Sequence, residues 1–152
     1  MTIKTDGSVD PARLQRMVDR PHRFYKFIGA KIVYASRDRL VSELTVREEL
    51  TNAGGNMHGG AVMALADHLG GAGTMINLLP GFRTTTIESK TNFIAPIYAG
   101  DVARAECRPL HRGRTTMVWE TRITRGDGRL VAVVTQTQMV IPQEAAAPTE
   151  DI

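Results

Sequence analysis

The residues best suited to chemistry lie between Asn52 and Asp67, in the run N-A-G-G-N-M-H-G-G-A-V-M-A-L-A-D. Gly59 and Gly60 open a segment of Ala, Val, Leu and Met that reads as a helix. First-turn amides have no partner inside a helix and point out of its end. Glycine lets a ligand approach that backbone closely. With the helix dipole behind them, such amides suit a carbonyl oxygen that becomes an oxyanion. His58 directly precedes and is placed to fix the turn. A Gly-Gly pair equally suits a tightly packed helix start, so on its own it leaves both readings open.

Asp67 adds a second group. It follows Ala61, Val62, Met63, Ala64, Leu65 and Ala66, and its helical neighbours are Met63, Ala64, Gly70 and Gly71. No polar stripe carries it toward solvent, so the sequence predicts a carboxylate in an apolar setting. An unpaired carboxylate there is costly and finds donors or ionises abnormally. Facing an oxyanion site, it can serve as general base or nucleophile in acyl transfer. On one helix Gly59 and Asp67 are roughly 12 Å apart at 1.5 Å per residue. An acyl carbon must lie about 3 Å from both groups, a demand that one helix does not meet. Two helices related by a two-fold axis meet it. Read as catalytic, the motif therefore requires a homodimer with two shared sites. Exposed sheet faces leave a tetramer open.

The elements that position these groups follow from punctuation and periodicity. Asp10-Pro11 predicts a helix start, with the helix running to about Val18 and ended by Pro21. Phe27 to Ala35 and Leu40 to Val46 read as strands joined by a turn at residues 36–39. Arg47 to Met57 is a loop. Gly59 to Leu79 reads as one helix, apolar nearly all round and so buried on most sides. Thr84 to Phe93, Asp101 to Pro109, Thr115 to Arg125 and Leu130 to Ile141 read as strands, with an Asp-Gly hairpin signal at Asp127-Gly128. Meander strands and one central helix give an α+β fold, an antiparallel sheet wrapped around one long helix. The small face Ala103, Ala105, Cys107 suits close approach of that helix, as do Gly70, Gly71 and Gly73. Residues 1–23 form an N-terminal segment, 24–141 the domain, and 142–152 a polar tail expected to be disordered.

Composition bounds the answer. With 152 residues, 42% hydrophobic and 23% charged, the chain is one globular domain and not a disordered one. The single cysteine, Cys107, excludes an internal disulfide and a Cys-based metal site and fits a reducing, cytoplasmic compartment. It alternates with Ala103 and Ala105 as a small buried hydrophobe, not as a nucleophile. His22, His68 and His111 show no ligand spacing, so no metal is expected. His68 adjoins Asp67 but points about 100° away from it on a helix. Gly59 to Pro80 is long enough to span a bilayer. Asp67 near its centre costs roughly 3 kcal/mol on insertion scales, and no membrane span is expected. Net charge is +3, and aromatic residues make up 5% of the chain, too few for the stacking platforms of an RNA binder.

The motif resembles the hotdog-fold thioesterases, in the branch of phenylacetate-degradation (PaaI-type) acyl-CoA thioesterases. The matching residues are Asn52, Gly55, His58-Gly59-Gly60 and Leu65-Ala66-Asp67. They continue through Ile87 to Pro96, Gly100-Asp101 and Arg112-Gly113-Arg114, so that the likeness covers roughly Phe24 to Val140. The resemblance implies a hotdog fold and hydrolysis of an acyl-CoA thioester to free acid and coenzyme A, with no cofactor, coenzyme A being part of the substrate. It implies that the Gly59 amide polarises the thioester carbonyl. Asn52 and His58 would order the loop or contact the thioester, with Gly60 beside them. Asp67 of the facing protomer would activate water or attack. Thr86 or Thr85 would orient water. The run Gly70-Gly71-Ala72-Gly73 is less typical of the family and is expected to open space for a bulky acyl or aryl group.

Between Val102 and Arg129 stand seven arginines against three acids. Arg forks suit phosphates, so this region is a candidate mouth for the nucleotide of coenzyme A, with Arg112 and Arg114 in a turn as the first choices. An ordinary solvated sheet face is the alternative. Two other functions compete with hydrolysis. A dehydratase or hydratase of this fold pairs a His with a carboxylate in other motifs. A non-catalytic acyl-CoA sensor would need a DNA-binding module, for which the stretch before Phe27 is too short.

Overall fold

A computed structural model describes residues 3–19 and 22–143. Helix α1 (Pro11–Asp19) starts where Asp10 accepts a side-chain hydrogen bond from the Ala12 amide at 3.1 Å. Pro21 and residues 144–152, which include most of the expected tail, lie outside the described residues. Pro142, assigned to that tail from the sequence, closes the last strand instead.

Residues 23–28 correct the sequence reading. Phe27 belongs to a six-residue helix, α2 (Arg23–Ile28), not to the first strand. Tyr25 and Ile28 are buried three residues apart, the spacing of one helical face, and Gly29 ends the helix at φ 82°. Strand β1 (Lys31–Ala35) starts only after that turn. Strand β2 (Leu40–Thr45) follows, then a short 3-10 turn at Glu48–Leu50 inside the expected loop.

Helix α3 (Gly59–Asn77) is the central element. Strands β3 (Phe82–Phe93), β4 (Val102–Arg112), β5 (Thr116–Thr124) and β6 (Leu130–Pro142) complete one antiparallel sheet in the order β1-β2-β4-β5-β6-β3. Its inner face wraps α3, which packs on β2, β3, β4, β5 and β6. Alternation delivers the core side of each strand: Ala103, Ala105 and Cys107 from β4, and Met117, Trp119 and Ile123 from β5. Small residues bring the layers close. The Trp119 ring lies so tightly on Gly73 that a Cβ there would come within 2.9 Å, and the indole N–H donates to Thr74 Oγ1 at 2.8 Å. Gly71 has nothing near the position of a Cβ.

Two surfaces are left uncovered. Strand β3 pairs only with β6, so one edge of a 12-residue strand carries no partner among the described residues. One stripe of α3 is exposed at Gly60, Met63 and Asp67. The helix is buried on most sides as expected, but the expectation that it shelters Asp67 is corrected for the single chain: Asp67 is exposed on an otherwise apolar stripe. No helix among the described residues is long and apolar enough to cross a membrane.

Candidate active site

The loop before α3 is tied down by its own polar groups. Asn52 Oδ1 accepts from the Gly54 amide at 2.9 Å and the Asn56 amide at 3.3 Å, and Gly55 turns the chain at φ 75°. His58 is the N-cap of α3. Its backbone is extended, and its Nδ1 accepts from the Gly60 amide at 2.9 Å. The Ala61 and Val62 amides turn back to the His58 carbonyl. Of the two glycine amides offered by the sequence, Gly60's is therefore spent on His58. Gly59's has no hydrogen-bond partner among the described residues. Gly59 lines a cavity of about 460 Å³ together with Asn52, Asn56, Val62, Phe93 and Pro96. The Phe93 ring covers Gly59 closely enough that a Cβ there would lie 3.0 Å from Cζ.

Asp67 sits two turns along the same helix, in a separate constellation. Its Oδ1 accepts from Thr86 Oγ1 at 2.9 Å and from Gln136 Nε2 at 2.7 Å. Gln138 Nε2 donates to Thr86 Oγ1 at 2.8 Å, and Gln136 Nε2 lies 3.2 Å from it. Thr86, not Thr85, is thus the hydroxyl at the carboxylate, and its hydrogen-bonding capacity is filled by Asp67 and two amides. The carboxylate borders a cavity of about 240 Å³ between α2 and α3, with His22, Phe24, Tyr25, Ala64 and His68 around it. His68 turns away from Asp67 and stacks on Tyr25, ring centroids 3.6 Å apart, with His22 edge-on at 4.9 Å. Burial, with the His22 charge adding to it, pushes the His68 pKa down to about 4, so the ring is neutral at pH 7. Tyr25 in turn bonds Ser42, and its burial raises the phenol pKa. A second, apolar cavity of about 360 Å³ is also lined by His22, Tyr25 and His68, with Met17, Ala30 and Ile32.

The arginines divide. Five of the seven are in ion pairs: Arg104 with Glu43, Arg108 with Glu106, Arg112 with Asp38, Arg122 with Glu120 and Arg125 with Asp127. Arg112 also donates to the Arg37 carbonyl and to Asn77 Oδ1, so it ties the β1–β2 turn to the end of α3. Arg114 makes no ion pair among the described residues. It joins Arg37, Arg112, Phe82 and Met117 around a cavity of about 610 Å³. That cavity adjoins the C-terminal end of α3, the opposite end from Gly59. The chain therefore brings together Asn52, His58, Gly59 and Gly60, and separately Asp67 and Thr86, with Arg112 and Arg114 at a third place. Among the described residues no group of three or more His, Cys, Asp or Glu side chains is placed to hold a metal ion. Burial pushes the Cys107 thiol up to about 12 and leaves it unreactive at neutral pH.

Gln136 and Gln138 were not singled out from the sequence. The signal was present: they share the parity of Ala132 and Val134, which face the core, so β6 carries two amides on its buried side. Gln136 takes the space at Gly70, where a Cβ would overlap its Oε1. The room that Gly70 and Gly73 appeared to offer a ligand is filled from within, by Gln136 and Trp119.

Comparison with known proteins finds relatives in sequence and in fold. The family profile described as the thioesterase superfamily matches residues 54–132. The 1,4-dihydroxy-2-naphthoyl-CoA hydrolase of Listeria monocytogenes is 31% identical over 106 residues, which cover 70% of this chain and 85% of that protein. The PaaI protein from the phenylacetic acid degradation operon of Escherichia coli superposes with a TM-score of 0.78 at 22% identity, covering 87% of this chain and 93% of its own. A thioesterase protein of Streptococcus pneumoniae, solved with coenzyme A, superposes with a TM-score of 0.69 at 28% identity, covering 76% and 88%.

Proposed function

The chain belongs to the thioesterase superfamily, and from that premise we propose that it hydrolyses acyl-CoA thioesters to free acid and coenzyme A. The observation that carries the reading is the presence of two incomplete half-sites on one helix. The Gly59 amide is a free donor without a reacting partner. Asp67 is a held carboxylate without a carbonyl in front of it. Two antiparallel copies of α3 join the Gly59 end of one protomer to the Asp67 of the other. The exposed stripe of Gly60, Met63 and Asp67 and the open β3 edge are the surfaces that such a homodimer covers.

In that shared site the Gly59 amide, backed by the helix dipole, holds the thioester oxygen as charge grows on it. Asn52 and His58 act through the loop they order and leave that amide open. Asp67 is the general base for a water molecule or the nucleophile itself. With water as the attacker, its oxygen bonds the acyl carbon as its proton passes to Asp67, the carbon–sulfur bond breaks, and the thiolate takes that proton and leaves as coenzyme A. With Asp67 as the attacker, the acyl–Asp67 anhydride so formed is then hydrolysed by water, which frees the acid, restores the carboxylate and supplies the proton for the thiolate. Thr86 holds the carboxylate. The acyl group takes the cavity between α2 and α3, beside Asp67. The cavity at Arg37, Arg112 and Arg114 receives the phosphates of coenzyme A. The reaction calls for no cofactor, and the one buried thiol suits a reducing, cytoplasmic compartment. Hydrolysis of short, long and aromatic acyl-CoA substrates, followed by release of free thiol, tests the proposal. Turnover of at least one class, lost in Asp67→Asn, supports it. A folded wild-type protein that binds but never cleaves any of them sinks it.

A further inference from the structure

We propose that Gln136 is the positioning residue of Asp67, and that its network leaves Oδ2 as the carboxylate oxygen that acts. The inference rests on the assignment of Asp67 under the proposed function. Gln136 and Gln138 are each 1% exposed. The orientation of every group in the network follows from its partners. Asp67 Oδ1 can only accept, so the Thr86 hydroxyl proton points to it and the Gln138 group 2.8 Å from Thr86 Oγ1 must be the donating nitrogen. Gln138 Oε1 then faces Thr84 Oγ1 at 2.9 Å, a hydroxyl that also lies 2.9 Å from the Met139 carbonyl. Thr86 Oγ1 thus receives N–H donors from Gln138 at 2.8 Å and from Gln136 at 3.2 Å and gives its own proton to Asp67 Oδ1 at 2.9 Å. Gln136 Nε2 donates to the same Oδ1 at 2.7 Å and lies 3.3 Å from the Asp67 carbonyl. Flipping the Gln136 amide would set its oxygen against three oxygens, so the nitrogen is held toward Asp67.

Two hydrogen bonds therefore saturate Oδ1, and Oδ2 has no partner among the described residues. The arrangement has a cost. Gln136 Oε1 is buried without a hydrogen-bond partner, pressed against Gly70. Stability alone favours an apolar side chain at such a position, because an orphaned buried acceptor is destabilising. What the amide gains is a carboxylate fixed in one rotamer. Gly70 makes the room three residues after Asp67, so the strand amide fits the helix at that one level.

Kinetics and spectroscopy together test this on the full-length protein. Gln136→Met removes the donor at nearly equal volume. Gly70→Ala leaves every hydrogen-bonding group in place but drives a methyl into Oε1. Both are expected to lower kcat about 10- to 100-fold with KM within about two-fold, the pattern of a group that matters in the transition state. Both should keep the wild-type circular dichroism. In 15N-labelled protein the Gln136 side-chain amide protons, assigned by their loss in Gln136→Met, should shift and exchange faster in Asp67→Asn. Unchanged kcat in both folded variants overturns the proposal. So does a parallel loss of kcat, substrate affinity and melting temperature, which marks a merely structural role. A wild type inactive on every acyl-CoA would overturn the proposed function, whereas the amide resonance still decides the positioning: no response to Asp67→Asn refutes it.

Discussion

At the scale of single residues, Asp67 and Gly59 carry different burdens, and their loss should read differently. Asp67→Asn keeps the hydrogen-bond frame of Thr86 nearly isosteric but removes the charge, so kcat should fall by roughly 10² or more while the fold persists. Full activity in a folded Asp67→Asn protein would be incompatible with the assignment. The two arginines separate in the same way. Arg114 has no ion pair among the described residues, so Arg114→Ala should raise KM for acyl-CoA several-fold and leave kcat unchanged. It should do nothing to hydrolysis of an acyl-pantetheine, which lacks the phosphates. Arg112 binds Asp38, the Arg37 carbonyl and Asn77, so Arg112→Ala should in addition lower the melting temperature. Equal losses on full and truncated substrates for Arg114→Ala would remove it from coenzyme A recognition. The candidate half-sites were legible from Asn52 to Asp67 because backbone donors and a lone acid in an apolar run are local signals. The amides that hold the acid were not. Gln136 is 69 residues away in sequence and meets Asp67 only through the packing of α3 on β6.

Among the elements, α2 shows how a short helix evades periodicity. Arg23–Ile28 is six residues long, less than two turns, and its Phe24, Tyr25 and Phe27 are residue types that favour strands. Tertiary contact decides the matter: Tyr25 stacks on His68 and bonds Ser42, which pins α2 over α3. The longer strands needed no such help, since β4 and β5 alternate small or apolar residues with charged ones and their register follows. The α2–α3 junction has a measurable consequence in acid. The folded-state pKa of His68 is about 4 against 6.5 for the ordinary side chain, so the unfolded chain binds its proton first as pH falls. Stability from this contact is whole above about pH 6.5 and is lost as pH drops toward 4, with a slope of at most about 1.4 kcal/mol per pH unit. His68→Phe keeps the stack on Tyr25 without a titrating group. Urea denaturation from pH 7 to 4.5 should show a shallower fall in stability for that variant than for wild type. Identical slopes would mean that His68 titrates normally.

The scale of the whole molecule brings back the distance of roughly 12 Å between Gly59 and Asp67 along α3. No rearrangement of one helix closes it, because both groups are fixed by their own networks, His58 at one end and Thr86 with Gln136 at the other. In the proposed homodimer a second protomer would close it without any movement, and would cover the open β3 edge at the same time. Complementation tests this directly. Gly59→Pro deletes the amide donor at a position that accepts proline. His58, at φ −61° and ψ 137°, already has the extended backbone that a following proline demands. The added Cβ comes 3.0 Å from the ring of Phe93, an exposed side chain able to turn aside. Each variant alone, Gly59→Pro or Asp67→Asn, should be inactive. In a mixed dimer both defects fall in one site and the other site is wholly wild type. Random exchange of equal amounts puts half of the protein into mixed dimers with one working site each, so activity should return to about a quarter of the wild-type level. Size-exclusion chromatography and exchange of differently tagged subunits establish that mixing has occurred. Mixed dimers that form and stay inactive would place the amide and the carboxylate of each site on one chain, against the geometry of α3.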